Sequence, residues 1–106
     1  MNNIKILFGR KIRELRKKRS FTQARLAELT GVDDKHISCI ESGKNFPSSD
    51  LIERLSRALG VEIKELFEFY HLQDSENLKK NIITMVETLK KDELTLAYKY
   101  IRTFLL

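Results

Sequence analysis

Asp34, Lys35, Ser38 and Cys39 fall at the spacing of successive turns of one helix face, and their side chains are types that can read base-pair edges. A lysine donates to guanine O6 and N7, an aspartate accepts from cytosine N4, and a small side chain can lie against a thymine methyl. A serine hydroxyl serves either a base or a phosphate. Nothing else in the 106 residues offers chemistry as coherent. The two histidines, His36 and His71, lie far apart, no Cys/His cluster has metal-ligand spacing, and there is no glycine-rich phosphate loop. Glu87, Asp92 and Glu93 sit on helix surfaces or caps without a partner base. No enzyme activity, metal or cofactor is expected.

The segment Thr22–Gly43, TQARLAELTGVDDKHISCIESG, must position these side chains. Thr22 can cap a first helix by accepting a free backbone N–H of its opening turn. Leu26, Ala27 and Leu29 mark an apolar face, and Gly31 stands where a chain leaving a helix needs a left-handed residue. Val32 can fill the gap between the helices. Asp33 caps a second helix whose Ile37 and Ile40 point inward, leaving Asp34, Lys35, Ser38 and Cys39 outside. Two short helices joined this way form a helix-turn-helix, whose second helix is shaped to enter the major groove of DNA.

The chain from about Phe8 to Phe67 resembles the Cro/repressor-type (XRE-family) transcriptional regulators. The resemblance rests on IRELRKKRSFTQARLAEL, the Gly31-Val32 turn, ISCIESGK, Pro47-Ser48, and RALGV ahead of ELF, in order and with matching gaps. It implies an all-α fold, a five-helix lambda-repressor-like DNA-binding domain, with double-stranded DNA as partner. Gln23 opens the first motif helix and can reach a phosphate, as the family's glutamine does there. Arg16 and Glu41 match a pair that in the family forms a largely buried ion bridge, locking the recognition helix to helix 1. Lys44 and Asn45 follow Gly43 in the loop as phosphate ligands, and Arg10 and Arg19 add basic charge from helix 1. His36 is a candidate for the DNA backbone. Two features depart from the family pattern. Asp33-Asp34 replaces the glutamine, serine or arginine common near the start of the recognition helix, so Asp34 must read a cytosine or pair with Lys35 to offset its charge. Cys39 is the second.

Charge agrees with this reading. The chain carries +5 overall with a pI near 9.4. Residues 1–60 hold 13 Lys and Arg against 7 Asp and Glu, while residues 61–106 hold 7 against 8. The basic excess lies in the segment carrying the motif, as a DNA footprint requires. One cysteine cannot form an internal disulfide, which fits a reducing cytoplasm. The start, MNNIKILFGRK, lacks a signal-peptide core, and no run approaches the roughly 20 apolar residues of a membrane span. A cytoplasmic location with no membrane partner is expected.

The whole chain reads as helical. Residues 1–69 form the expected DNA-binding domain, with Phe8, Ile12 and Leu15 on helix 1, a helix capped by Ser48, and a short fifth helix near Ile63 to Phe69. Residues 70–76 read as a linker, in which Asp74 and Ser75 are possible caps. Residues 77–106 read as a C-terminal two-helix hairpin, turning at Lys90–Asp92 with Asp92 as the next cap. Leu78, Ile82, Met85, Val86 and Leu89 share one apolar face, and Leu94, Ala97, Tyr98, Ile101 and Phe104 share another. Two helices cover only one side of each other, so a second copy of the chain is expected to complete the core. A homodimer also suits a palindromic operator and a repressor's function. The rival reading is a protein-interaction module, an antitoxin or regulatory adaptor, whose hairpin binds a different protein.

Overall fold

The computed structural model describes residues 3–106, which form six α-helices and two short 3-10 turns, with no strand among them. The chain divides into two compact units, the first ending at Gln73 and the second covering Asp74–Leu106. The first contains α1 (Ile4–Lys18), α2 (Gln23–Thr30), α3 (Asp34–Glu41) and α4 (Ser49–Leu59), then the 3-10 turns Ile63–Phe67 and Tyr70–Leu72. The second contains α5 (Ser75–Glu87) and α6 (Lys91–Thr103).

Local chemistry sets the helix starts. Thr22 Oγ1 accepts from the Arg25 amide at 3.0 Å, Asp33 Oδ1 from His36 at 2.8 Å, Ser48 Oγ from Leu51 at 3.2 Å, and Asp74 Oδ1 from Asn77 at 3.0 Å. Each satisfies one N–H that the first helical turn leaves without a partner. α2 and α4 end at Gly31 and Gly60, both left-handed. An arginine from elsewhere in the unit closes each of these ends: Arg54 of α4 donates to Thr30 O at 2.6 Å, and Arg19, just past α1, to Leu59 O at 2.9 Å. Cations suit these sites, because a helix C-terminus presents free carbonyls and a partial negative charge.

Phe8, Ile12, Leu26, Ile37, Leu55 and Leu66 are fully buried and join α1–α4 and the first 3-10 turn in one core. Val32 packs against it from the turn of the motif. At Gly9 the backbones of α1 and α3 meet so closely that a Cβ would lie 2.2 Å from Ile40 O. That contact fixes the depth at which the second motif helix sits.

Three local expectations are corrected. Leu29 is exposed; the inward positions of α2 are Leu26, Ala27 and Thr30, and the buried Thr30 hydroxyl is satisfied by Leu26 O at 2.8 Å. The expected fifth helix is the 3-10 turn Ile63–Phe67, whose preceding residue Glu62 makes no side-chain cap, and which needs only a short piece to bury Leu66. Asp92 is not a cap, because α6 starts two residues earlier. Glu93 Oε1 accepts from the Lys90 amide at 2.9 Å, and Asp92 lies inside the first turn.

In the second unit no residue of α5 or α6 is buried, and the two helices barely pack against each other across the Thr88–Lys90 connection. Its apolar residues remain largely in solvent.

Candidate nucleic-acid interface

Gln23, at the first position of α2, and Glu41, at the last position of α3, meet at Arg16. Arg16 Nε and Nη2 donate to the two Glu41 carboxylate oxygens at 2.6 and 3.0 Å, and Arg16 Nη1 donates to Phe21 O at 2.8 Å. Gln23 Nε2 donates to Glu41 Oε1 at 3.1 Å. Arg16 and Glu41 are both buried. A buried bidentate pair of this kind constrains geometry strongly, because each charge is satisfied only in one arrangement. Here it ties the last turn of α1, the loop before α2, the start of α2 and the end of α3 into one rigid corner. The Gln23 amide has two N–H donors, so one remains for an outside oxygen.

α3 presents Asp34, Lys35 and Ser38 to solvent, while His36 and Cys39 are half-buried. Asp33, Lys35, His36, Cys39 and Asn45 line a shallow open groove of about 330 Å³. The loop after α3 is drawn back onto the helix end: the Cys39 carbonyl accepts from the Ser42 hydroxyl at 3.2 Å, the Lys44 amide at 3.0 Å and the Asn45 amide at 3.3 Å. Gly43 allows this turn with φ +81°. Beyond it, the Phe46 ring packs on buried Phe8 with centroids 5.0 Å apart. The exposed Lys44 and Asn45 side chains are therefore held beside α3 rather than on a free loop.

Arg10 and Arg19 have internal partners. Arg10 Nη1 donates to Leu72 O at 2.9 Å, and Arg19 Nε to Leu59 O, so part of each guanidinium's donor set is engaged within the domain. Of the residues expected to pair hairpins, Leu78, Val86 and Leu89 are half-buried, and Ile82, Met85, Leu94, Tyr98, Ile101 and Phe104 are exposed. Among the described residues no group of His, Cys, Asp and Glu could hold a metal ion, and no helix is long and apolar enough to cross a membrane.

Sequence reasoning missed Gly9 and Phe46 as positioning residues. A glycine inside a strongly helical run was the available sign for the first. Phe46, in a polar loop, gave none.

Residues 9–71 match the model of a family described as a helix-turn-helix domain. The control protein C.BamHI of Bacillus amyloliquefaciens is 40% identical over 79 residues, covering 74% of this chain and 98% of that protein. The P22 c2 repressor, solved in complex with a synthetic operator, is 35% identical with a TM-score of 0.55, over 57% of this chain and 91% of its own. A chain from the SinR/SinI protein complex is 29% identical with a TM-score of 0.57, over 91% of this chain and 97% of its own. With the family model spanning more than half the chain and an exposed second motif helix held by a buried ion pair, the chain belongs to the Cro/repressor-type helix-turn-helix family of transcriptional regulators.

Proposed function

We propose that this protein is a sequence-specific transcriptional repressor that binds an inverted repeat in double-stranded DNA as a homodimer, in the cytoplasm or nucleoid and without enzymatic activity. The observation that carries this reading is the exposed face of α3, held rigid through Glu41. In this reading Asp34, Lys35, Ser38 and Cys39 face base edges, while Gln23, Lys44 and Asn45 meet phosphates on either side. Arg10 and Arg19 contribute charge rather than specific contacts. Two copies would set their α3 helices in successive major grooves, about 34 Å apart. The apolar faces of α5 and α6, from Leu78 to Phe104, would join the copies. Much of the affinity would come from phosphate neutralisation and would fall steeply with salt.

The testing experiment is selection of bound duplexes from a random pool, with the full chain beside its Ile82→Glu variant. The full chain should enrich an inverted repeat, and the variant a half-site or nothing. Failure of the full chain to enrich any sequence would overturn the reading. A second reading, a regulator whose hairpin binds a different protein in the manner of an antitoxin or adaptor, draws on the likeness to a chain of the SinR/SinI complex across α5 and α6. Native size separates the two: a stable dimer supports the first, a monomer the second.

A further inference from the structure

Residues 70–76 carry the chain out of the first unit, and the first three of them are held fast. Tyr70–Leu72 forms a 3-10 turn gripped by two α1 side chains that stand one helical turn apart. Arg10 Nη1 donates to Leu72 O at 2.9 Å, and His71 Nε2 donates to Glu14 Oε2 at 2.8 Å. The other Glu14 oxygen accepts from the buried Lys11 ammonium at 3.0 Å, which steadies the carboxylate. Beneath the turn, Phe69 is buried and the Leu72 side chain packs against the core. A backbone carbonyl, a charged contact and an apolar side chain thus anchor two adjacent residues, His71 and Leu72.

The connection that follows is short. Gln73 and Asp74 alone separate the turn from α5, which begins at Ser75. Gln73 donates its amide to Tyr70 O at 3.3 Å. Asp74 caps α5, and that role requires the extended backbone it shows, with φ −67° and ψ 163°. Two extended residues reach at most about 7 Å. A flexible linker of seven residues would instead range over about 15 Å, several times the 3.4 Å or so that one base pair adds along DNA.

α1 also holds the second motif helix. Its Arg16 binds Glu41 at the end of α3, and its Gly9 lies in close backbone contact with Ile40 O. The exposed face of α3 and the point where the chain leaves the unit are therefore both fixed to one helix. Moving that point relative to α3 must break a charge-assisted hydrogen bond or lift Leu72 from its packing.

We infer that the Tyr70–Leu72 turn is a spacing gauge, with Arg10, Glu14 and His71 as its positioning residues. This rests on the homodimer reading above and adds the feature of the operator that α3 alone does not read, the distance between half-sites. One base pair more or less moves the half-sites by about 3.4 Å and turns them by about 35°. Two copies with fixed exits accept one separation, whereas copies on loose linkers would accept several.

The test measures affinity for the inverted repeat and for versions with the spacer one base pair shorter or longer, using full-length chains. Wild type should lose about tenfold or more on the altered spacers, the scale of one charge-assisted hydrogen bond. Two glycines inserted between Gln73 and Asp74 leave both the turn and the cap in place, and should cut that penalty to about threefold or less. His71→Ala should give an intermediate penalty, and His71→Gln, whose amide can still donate to Glu14, should restore it. Affinity for a single half-site should be the same in all four chains. A wild type indifferent to spacing, or an insertion or His71→Ala chain that keeps the full penalty, would overturn the inference and leave the dimer reading intact. A wild type that binds the inverted repeat no better than one half-site would instead remove the dimer reading, and this inference with it.

Discussion

The two units of the chain use the same kind of helix to opposite ends. α1–α4 bury Phe8, Ile12, Leu26, Ile37 and Leu55 completely, and the charged pair that holds α3 is buried with them. α5 and α6 are as long or longer than α2 and α3 and are well capped, yet no residue in either is buried. Capping and amphipathic spacing thus suffice to make helices but not a core. A core needs a third and fourth surface, which α1 and α4 provide in the first unit. Most helical stability comes from such packing rather than from propensity, and the second unit has within itself none of the buried packing that the first obtains internally.

Variants can break this contrast, beginning with the largest effect. Glu41→Ala strands Arg16 in a buried site, and loss of one partner of such a pair costs about 3–5 kcal/mol. Thermal melting and DNA affinity should fall together; an unchanged melting curve with weak binding would show that Glu41 is not structural. Gly9→Ala drives a methyl into Ile40 O and should cost about 1–3 kcal/mol as an overpacked contact. Denaturant midpoints would register it, and an equal or higher midpoint would mean that α1 and α3 can separate freely. Lys35→Ala should leave melting unchanged and cost about 1–3 kcal/mol of discrimination at one base position, measured as a flattened preference profile. Smaller still is the effect of acid on Glu14. Burial raises this carboxyl's pKa, but hydrogen bonds from His71 and Lys11, at 2.8 and 3.0 Å, outweigh that and hold it below its ordinary value. Its contribution is present above the usual glutamate value of about 4.3 and is lost as pH falls through the lower folded value. Glu14→Gln should therefore lose less stability than wild type between pH 5 and 3, as read by acid melts. The smallest change in stability is expected from Ile82→Glu, within about 0.5 kcal/mol for the first unit as a surface substitution. The same variant should abolish dimer formation in sedimentation, and a loss of first-unit stability would erase the contrast between the units.

Local chemistry made much of the fold legible. Thr22, Asp33 and Ser48 could be assigned as caps, and the cap of α5 narrowed to Asp74 or Ser75, because a cap bonds an amide three residues away, well within reach of the sequence. Gly31 was legible for the same reason. Leu29 was not, because an eight-residue helix holds too few turns for periodicity to choose between positions 29 and 30. The start of α6 was misread because Lys90 carries no capping side chain, and the carboxylate that does the work stands three residues on. Within the candidate site, the exposure of Asp34, Lys35 and Ser38 follows from the inward positions of Ile37 and Ile40. The destinations of Arg10, Arg19 and Gln23 do not. Each depends on a partner 18 or more residues away, brought near only by the folded core.

Every residue of the core cluster lies between Leu7 and Leu72. During synthesis, the segment that builds this core is therefore complete before α5 and α6 have been made. Domains of this kind fold as units, N-terminal part first, as the chain emerges, and helical folds rich in local contacts fold quickly. The exposed face of α3 can thus be finished on a single nascent chain, whereas in the homodimer reading proposed above the apolar faces of α5 and α6 would wait for a mate. In that reading protein abundance would set how many finished readers become paired ones, and synthesis rate alone would adjust repression.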